Sequence, residues 1–258
     1  MGQRKKEANE EDGSNQNVYK NYFHNKNMKA IINTPEKLVL RIETNNSLAN
    51  ALRRSILEIS TLAIEEVEIF KNDSALYDEI LSHRLGLIPI KTEKGMSEKT
   101  KVEFKLSKKG PCTVYAEDLD GSAEIVYPKI PITILGDNHK LELVATAVLG
   151  KGISHAKNTP GLCYYRSILE IKSSPKIDEI IEKSKGWIKP EKEDSKWLCD
   201  LTEAEVDEIL KIDKNAVSDS SESLLIIESF GQMPAKDILI KSSQVMESNL
   251  EEVEKEIK

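Results

Sequence analysis

Hydrophobic and polar residues alternate along many short stretches of this chain, a pattern typical of strands that bury one face. The longest stretch is KLELVATAVLG at 140–150, whose one-face residues are Leu141, Leu143, Ala145, Ala147 and Leu149. Shorter stretches that also predict strands are 29–44, 63–72, 101–107, 112–119, 131–135 and 223–232. A large share of the chain is therefore predicted to be β-structure.

Two other segments have apolar residues at three- and four-residue steps, which predicts amphipathic helices. In 45–60 the apolar stripe follows an N-cap at Asn46 or Ser47, and its members are Leu48, Leu52, Ile56 and Ile59. A second helix is predicted after a cap at Asp73 or Ser74, with Gly86 and Pro89 at its end. Its buried residues are predicted to be Leu76, Ile80, Leu81 and Leu85.

Two helices are predicted in the second half of the chain. TEAEVDEILKI at 202–212 begins with a capping-box pair, Thr202 and Glu205. The last helix has Pro234 in its first turn and extends to the end of the sequence. Its apolar residues could form a seam for a second helix, and they are Leu239, Met246, Leu250, Val253 and Ile257.

Length and charge restrict the class of protein. A chain of 258 residues with 39% hydrophobic residues can bury a sizeable core and is expected to form two lobes. The net charge of -7 argues against a reader of duplex DNA, which needs clustered cations, so contact with nucleic acid is expected only indirectly. Residues 1–18 are charged and almost free of apolar side chains, and we predict a disordered tail.

The sequence has no apolar run long enough for a membrane span and no signal-peptide core, so we expect a cytoplasmic protein, or a nuclear one if the source is eukaryotic. Cys112, Cys163 and Cys199 are widely spaced. Without a C-x-x-C pair, they support neither a metal site nor a disulfide framework, and we expect reduced thiols.

Candidates for catalysis are weak. Asp78, Ser82 and His83 suggest a triad, but neighbouring helical residues point about 100° apart, so Ser82 and His83 cannot act together. Nothing in the sequence orients Cys163 towards His155. From the residues alone, an α+β protein that acts in assembly is favoured, and a Cys163- or Ser82-dependent hydrolase and a homodimeric adaptor stay open as alternatives.

Three stretches, NSLANALRRSIL (46–57), NDSALYDEILSHRLGLIPIK (72–91) and KGISHAKNTPG (151–161), carry a family resemblance. In this order and spacing they resemble the D subunits of archaeal RNA polymerases. They are also similar to the third-largest subunit of RNA polymerase II and, more distantly, to the N-terminal domain of the bacterial α subunit.

The resemblance implies an α+β fold with a discontinuous, α-subunit-like dimerisation domain and an inserted, mostly-β domain. Residues 28–60 plus 222–258 would form the dimerisation domain, and 61–170 the inserted domain. Residues 173–221 would be an accessory insert without an iron–sulfur motif.

The implied function is that of a non-catalytic scaffold in DNA-templated transcription. Such subunits pair with a smaller α-like subunit, called L, and this pair nucleates assembly of the large catalytic subunits of the nucleotidyltransferase complex. The implied partners are L, the large subunits, mainly the second-largest, and the small subunits N and P.

The resemblance also implies roles for individual residues. The dimer interface and its core would be formed by Leu48, Leu52, Ile56, Leu239, Met246, Leu250 and Val253. Docking of the large or small subunits would involve Arg53, Arg54, Asp78, Glu79, His83, Arg84, Pro89, His155 and Lys157.

The chain departs from its relatives at three places. Some archaeal relatives have iron–sulfur cysteines in an insert, and the corresponding region of this chain has only Cys199. The polymerase II subunit has a zinc-binding cysteine cluster, and the corresponding region of this chain has only Cys112. We therefore predict neither an iron–sulfur cluster nor zinc. At Asn158 the family has an aromatic residue, so an aromatic contact is expected to be missing from the loop that contains His155.

Overall fold

The structure is a computed structural model, and it describes residues 28–257. The tail predicted at 1–18 lies outside the described residues. The described chain divides into two compact units, one formed by 28–33, 38–51 and 164–226, and the other by 34–37, 52–163 and 227–257. These boundaries differ from those of the dimerisation and inserted domains, whose assignment stays a prediction.

The strands are β1 (Met28–Asn33), β2 (Lys37–Glu43), β3 (Ser60–Asn72), β4 (Lys101–Lys109), β5 (Cys112–Tyr115), β6 (Asp120–Gly121), β7 (Pro131–Leu135), β8 (Lys140–Lys151), β9 (Gly161–Lys172), β10 (Glu191–Glu193), β11 (Lys196–Cys199) and β12 (Val217–Ser229). The helices are α1 (Asn46–Ser55), α2 (Asp78–Gly86), α3 (Pro175–Lys183), α4 (Glu203–Ile212) and α5 (Ala235–Ile257). Short 3₁₀ helices cover Ile56–Glu58, Ala116–Asp118 and Ala156–Asn158. The fold is therefore α+β, as predicted.

The first unit is built on a six-stranded sheet with the order β1-β2-β12-β9-β11-β10. One buried cluster joins the sheet strands through Val39, Ile168 and Ile226. A second cluster lies under α3 and α4, which supply Ile177 and Ile209. Helix α3 was not predicted, because its Lys- and Glu-rich sequence obscured the apolar stripe.

The second unit contains a four-stranded sheet, β3-β8-β4-β6, and the separate β5-β7 pair. The alternation predicted for 140–150 is confirmed, since Leu141, Leu143, Ala145 and Ala147 are buried in this unit. Neighbouring strand β4 adds Phe104 to the same core. Helix α2 packs against β3 and closes the core with Leu81 and Leu85.

Both predicted helix caps in the first half of the chain were wrong. Helix α1 is capped one residue earlier than predicted, because the Asn45 side chain accepts a hydrogen bond from Leu48 N at 2.8 Å. Asp73 does not cap α2, since its carboxylate accepts from Lys140 N and the helix starts only at Asp78. For Asp73 the donor comes from a strand distant in the sequence, which the sequence alone could not indicate.

Residues 173–221, predicted to be an accessory insert, contain two groups of hydrogen bonds that fix their helices. The predicted capping box at Thr202 is confirmed by reciprocal hydrogen bonds with Glu205. At the start of α3, Asp178 accepts hydrogen bonds from Ser173 Oγ, Trp197 Nε1 and Lys192 Nζ. These contacts tie α3 to β10 and β11.

Candidate docking site

Helix α2 presents a polar face, as expected, but its apolar face is narrower than predicted. Leu81 and Leu85 are buried, whereas Ile80 is exposed and Leu76 is only half-buried. The prediction of a buried Ile80 was wrong, because the helix begins at Asp78 and Ile80 lies on the solvent side of its first turn. Asp78, Glu79 and His83 are exposed, which leaves their side chains accessible to a partner.

Arg84 is held by its own chain. Its Nε donates to Ile132 O at 2.9 Å and its Nη2 donates to Pro131 O at 2.6 Å. Both acceptors are in β7, so the guanidinium fastens the end of α2 to this strand. A direct contact of Arg84 with another subunit stays a prediction.

The loop that follows β8 is also fixed internally. Lys157 Nζ donates to Ile64 O at 2.9 Å and forms an ion pair with Glu65, while its backbone N donates to His155 Nδ1. Asn158 is buried, and its carbonyl accepts from Thr61 Oγ1 at 2.8 Å. The side-chain amide of Asn158 lies where a Cβ at Gly150 would be, so the lack of a side chain at Gly150 leaves the space that this amide occupies.

Two of the three segments predicted to dock, 72–91 and 151–161, line one cleft of about 380 Å³. Leu87 and Pro89 contribute one wall, and Ala156 and Lys157 contribute another. The remaining lining residues, Tyr127, Thr159, Ser229, Phe230 and Gln232, were not predicted.

A tight turn at the end of β12 places Phe230 and Gln232 in the cleft. Ser229 Oγ accepts from Gly231 N and donates to Met233 O. Gly231 has a φ of 99°, and a Cβ there would lie 2.3 Å from Val126, so no other residue fits. The glycine directly after a strand was the one sequence signal for this turn.

Comparison with known proteins identifies the family. The profile of the RNA polymerase Rpb3/RpoA insert domain matches residues 67–164. The DNA-directed RNA polymerase subunit Rpo3 of Methanocaldococcus jannaschii is 41% identical over 137 residues, which cover 52% of this chain and 71% of that protein. The Rpo3 of Methanothermobacter thermautotrophicus is 32% identical over 79% of this chain and 88% of its own length.

The chain belongs to the Rpo3 family of DNA-directed RNA polymerase subunits. A third relative, the Rpo3 of Pyrococcus horikoshii, is 38% identical over 63% of this chain and 64% of its own length. The family resemblance of the three motifs is thereby confirmed, and with it the connection to transcription.

Within this Rpo3-family chain, the residues assigned to the dimer interface fall into two groups. Leu52, Ile56 and Leu239 are buried within the chain itself. Leu48, Leu250 and Val253 are exposed, and Met246 is half-buried. The exposed members are therefore the ones accessible to a second chain.

The last three turns of α5 combine this apolar stripe with acidic flanks. Leu250, Val253 and Ile257 are all exposed, at positions that lie on one side of the helix. Glu247, Glu251, Glu252, Glu254 and Glu256 occupy most of the intervening positions. A stripe of this kind is typical of a helix that pairs with another helix.

The two arginines on α1, Arg53 and Arg54, differ in exposure. Arg54 is exposed, whereas Arg53 is half-buried and makes contacts within the chain. Arg54 is therefore the better candidate for contact with a partner.

Neither Cys163 nor Cys199 has the low pKa of a nucleophilic thiol. Burial raises the pKa of Cys163 to about 12, an effect that the charge of Arg53 opposes. Burial, together with the charges of Asp200 and Glu205, also raises the pKa of Cys199 to about 12. Because the thiolate is the reactive form, both side chains are nearly inert near pH 7.

Across residues 28–257, no three His, Cys, Asp or Glu side chains are grouped closely enough to hold a metal ion. No helix in the described part of the chain has the length and apolar character that a membrane crossing requires.

Proposed function

We propose that this chain is a non-catalytic scaffold subunit of DNA-directed RNA polymerase. It pairs with a smaller α-like subunit of the L type, and the pair then recruits the large catalytic subunits, mainly the second-largest, together with the small subunits N and P. Its contact with nucleic acid is indirect, and it works in the cytoplasm without a resident zinc or iron–sulfur cluster.

The observation that supports this proposal is the presence of two exposed apolar features on a member of the Rpo3 family. One surface is the exposed apolar stripe of α5 with Leu250 and Val253. The other is the cleft between the LGLIP segment and the His155 loop. A scaffold subunit needs this arrangement, because one surface can hold the paired subunit while the other remains available.

Co-expression with an L-type subunit tests the pairing. A stable one-to-one complex on size-exclusion chromatography with mass measurement is expected, and the chain purified alone should not form a homodimer of comparable stability. Failure of the two subunits to co-purify would refute the scaffold role, and a tight homodimer would favour the adaptor alternative.

A thiol-reactivity experiment tests the hydrolase alternative. We expect an iodoacetamide probe to label Cys163 far more slowly in the native protein than in urea at pH 7, because burial keeps the thiol protonated. Rapid native labelling of Cys163, measured by mass spectrometry of the modified peptide, would revive the alternative.

A further inference from the structure

An ion pair in the first unit joins two strands that are not neighbours in the six-stranded sheet. Arg41 is on β2 and Glu191 begins β10, and β12, β9 and β11 separate these two strands. Adjacent strands are about 4.8 Å apart, so the four spacings from β2 to β10 would span about 19 Å in a flat sheet. Arg41 Nη1 nevertheless donates to Glu191 Oε2 at 2.8 Å. The chain at Glu191 therefore reaches back over one face of the sheet.

The alternation of side chains identifies that face. Val39 and Arg41 are two residues apart on β2, and side chains at this spacing lie on the same face. On β12 the same spacing puts Leu224 and Ile226 on the face of Glu222. Arg41 Nε donates to Glu222 Oε2 at 2.9 Å, so both strands present these side chains on one side. This side of the sheet is apolar beside the ion pair.

Residues 184–191, which we call the strap, cover the apolar side. Ile188, near the middle of the strap, is only 8% exposed and belongs to the buried cluster that contains Val39 and Ile168. Trp187 is half-buried and packs against the same cluster. The strap thus excludes water from a sheet face that would otherwise expose large apolar side chains.

A buried carboxylate holds the first half of the strap. The side chain of Asp200 is 1% exposed, and its Oδ2 accepts from Trp187 N at 2.8 Å and from Arg166 Nη2 at 2.5 Å. Gly186 permits this approach, because a Cβ there would lie 2.1 Å from Asp200 O. A buried carboxylate is stable only with such donors, so this end of the strap is fixed in position.

The Arg41 guanidinium holds the other end of the strap. Its Nε and Nη2 donate to Glu222 on β12, and its Nη1 donates to Glu191 where the strap ends. Because Glu191 is exposed, this ion pair is expected to contribute less than the one at Asp200. Both ends of the strap are therefore attached to strands of the sheet that the strap covers.

We propose that the strap is a conformational clamp, through which the accessory segment 173–221 stabilises strands β2 and β12. The helices of this segment have a separate buried cluster that includes Ile177 and Ile209, so their core does not depend on the strap. Release of the strap exposes the apolar side of the sheet and destabilises β2 and β12, while α3 and α4 stay folded. The proposal is independent of the proposed function, because all of these contacts lie within one unit of the chain.

Hydrogen exchange of the full chain, followed by mass spectrometry, tests the clamp. Ile188→Ala removes most of the side chain that attaches the strap to the cluster. We expect the peptides of β2 and β12 to exchange at least about 10-fold faster than in the wild type, whereas those of α3 and α4 stay within about 3-fold. Ile212→Ala is the matched control and should exchange like the wild type, because Ile212 is exposed in the same segment.

Glu191→Gln is a milder variant, which weakens the ion pair with Arg41 and leaves every buried apolar side chain in place. It should accelerate exchange in β2 and β12 about 2- to 5-fold, because one end of the strap is loosened. Glu193→Gln is its control, since Glu193 is exposed two residues further along β10. This control should leave exchange in β2 and β12 unchanged.

If Ile188→Ala does not fold, the comparison of Glu191→Gln with Glu193→Gln decides. Faster exchange of β2 and β12 in Glu191→Gln alone supports the clamp. Exchange of these strands at the wild-type rate in every folded strap variant overturns it. Equal acceleration in α3, α4, β2 and β12 also overturns it, because the strap would then be part of one cooperative core.

Discussion

Several charged side chains of this protein are engaged by acceptors of their own chain, and this changes what they can do. Arg84 donates to two carbonyls of β7, and Lys157 joins its loop to β3. Both belong to segments predicted to dock other subunits. Their main observable contribution is to fix the shape of the surface, while His83 and Glu79 remain exposed.

Replacing Arg84 with Met should lower the free energy of unfolding by about 1–2 kcal/mol, because two hydrogen bonds from a charged donor are lost while the aliphatic stem is kept. Urea denaturation of the purified protein measures this change. Arg54→Met is the control and should stay within about 0.5 kcal/mol of the wild type, because Arg54 is exposed. Equal effects of the two substitutions would contradict the role of Arg84.

Asp178 makes the accessory segment sensitive to acid. The Lys192 ammonium, which donates a hydrogen bond to this carboxylate, lowers the pKa of Asp178 to about 2, and Trp197 and Ser173 add to the effect. A lowered pKa in the folded state stabilises the protein above the unfolded value, near 3.9. That stability is lost as the pH falls through about 2.

We therefore expect Asp178→Asn to destabilise the protein at pH 7 and to reduce the loss of stability between about pH 5 and pH 2. Urea midpoints across this pH range provide the measurement. Asp207→Asn, on the exposed face of α4, serves as the control. If stability falls between pH 5 and pH 2 as much in Asp178→Asn as in the wild type, the acid sensitivity does not come from Asp178.

Helix α5 is buried in its first turns and exposed in its last turns. Its first turns are buried through Ile238 and Leu239, so they hold the helix to its own unit. Its last turns present Leu250, Val253 and Ile257 to the exterior. A charge at Leu239 would disturb the core, whereas charges at the exposed positions should leave the core intact.

The double variant Leu250→Asp with Val253→Asp should abolish co-purification with an L-type subunit without lowering the Tm of the isolated chain by more than a few degrees. Uncompensated charges in an apolar helix seam are strongly unfavourable. Gln244→Asp with Ser248→Asp is the matched control, because these exposed positions lie on the opposite side of α5. Loss of pairing in both variants would point to a general effect of charge.

At the scale of the whole molecule, an acidic chain of net charge -7 belongs to a family of DNA-directed RNA polymerase subunits. This combination is consistent with a subunit that contacts proteins rather than the template, because DNA binding depends on clustered cations. Exposed Arg54 is then a candidate for recruiting a large subunit by charge-assisted hydrogen bonds.

Arg54→Ala should leave pairing with L unchanged and lower the yield of reconstituted polymerase several-fold, because one charged contact is lost from a large interface. The yield is measured by size-exclusion chromatography of a mixture of purified subunits. Lys101→Ala, an exposed cation on β4, is the control. An unchanged yield with Arg54→Ala would exclude this role.

Local patterns were sufficient to predict most of the secondary structure. The alternation in 140–150 and the Thr202–Glu205 capping box both depend on residues close together in the chain, and both were confirmed. The cap at Asp73 was wrong because Lys140 N, distant in the sequence, donates to its carboxylate, and the cap at Asn46 was wrong because the neighbouring Asn45 accepts from Leu48 N. Helix α3 was missed because charged residues dominate its sequence.

The sequence by itself determined the α+β class, the family and the three segments that carry its motifs, because these depend on local periodicity and on residue order. Tertiary structure decided that Pro89, Lys157 and Phe230 line one cleft, since no local pattern links positions so far apart. It also decided that Arg84 donates to two carbonyls of β7 and that Gln232 keeps an unpaired acceptor among the described residues. Hydrogen bonding in a packed interior depends on which distant groups the fold brings within reach.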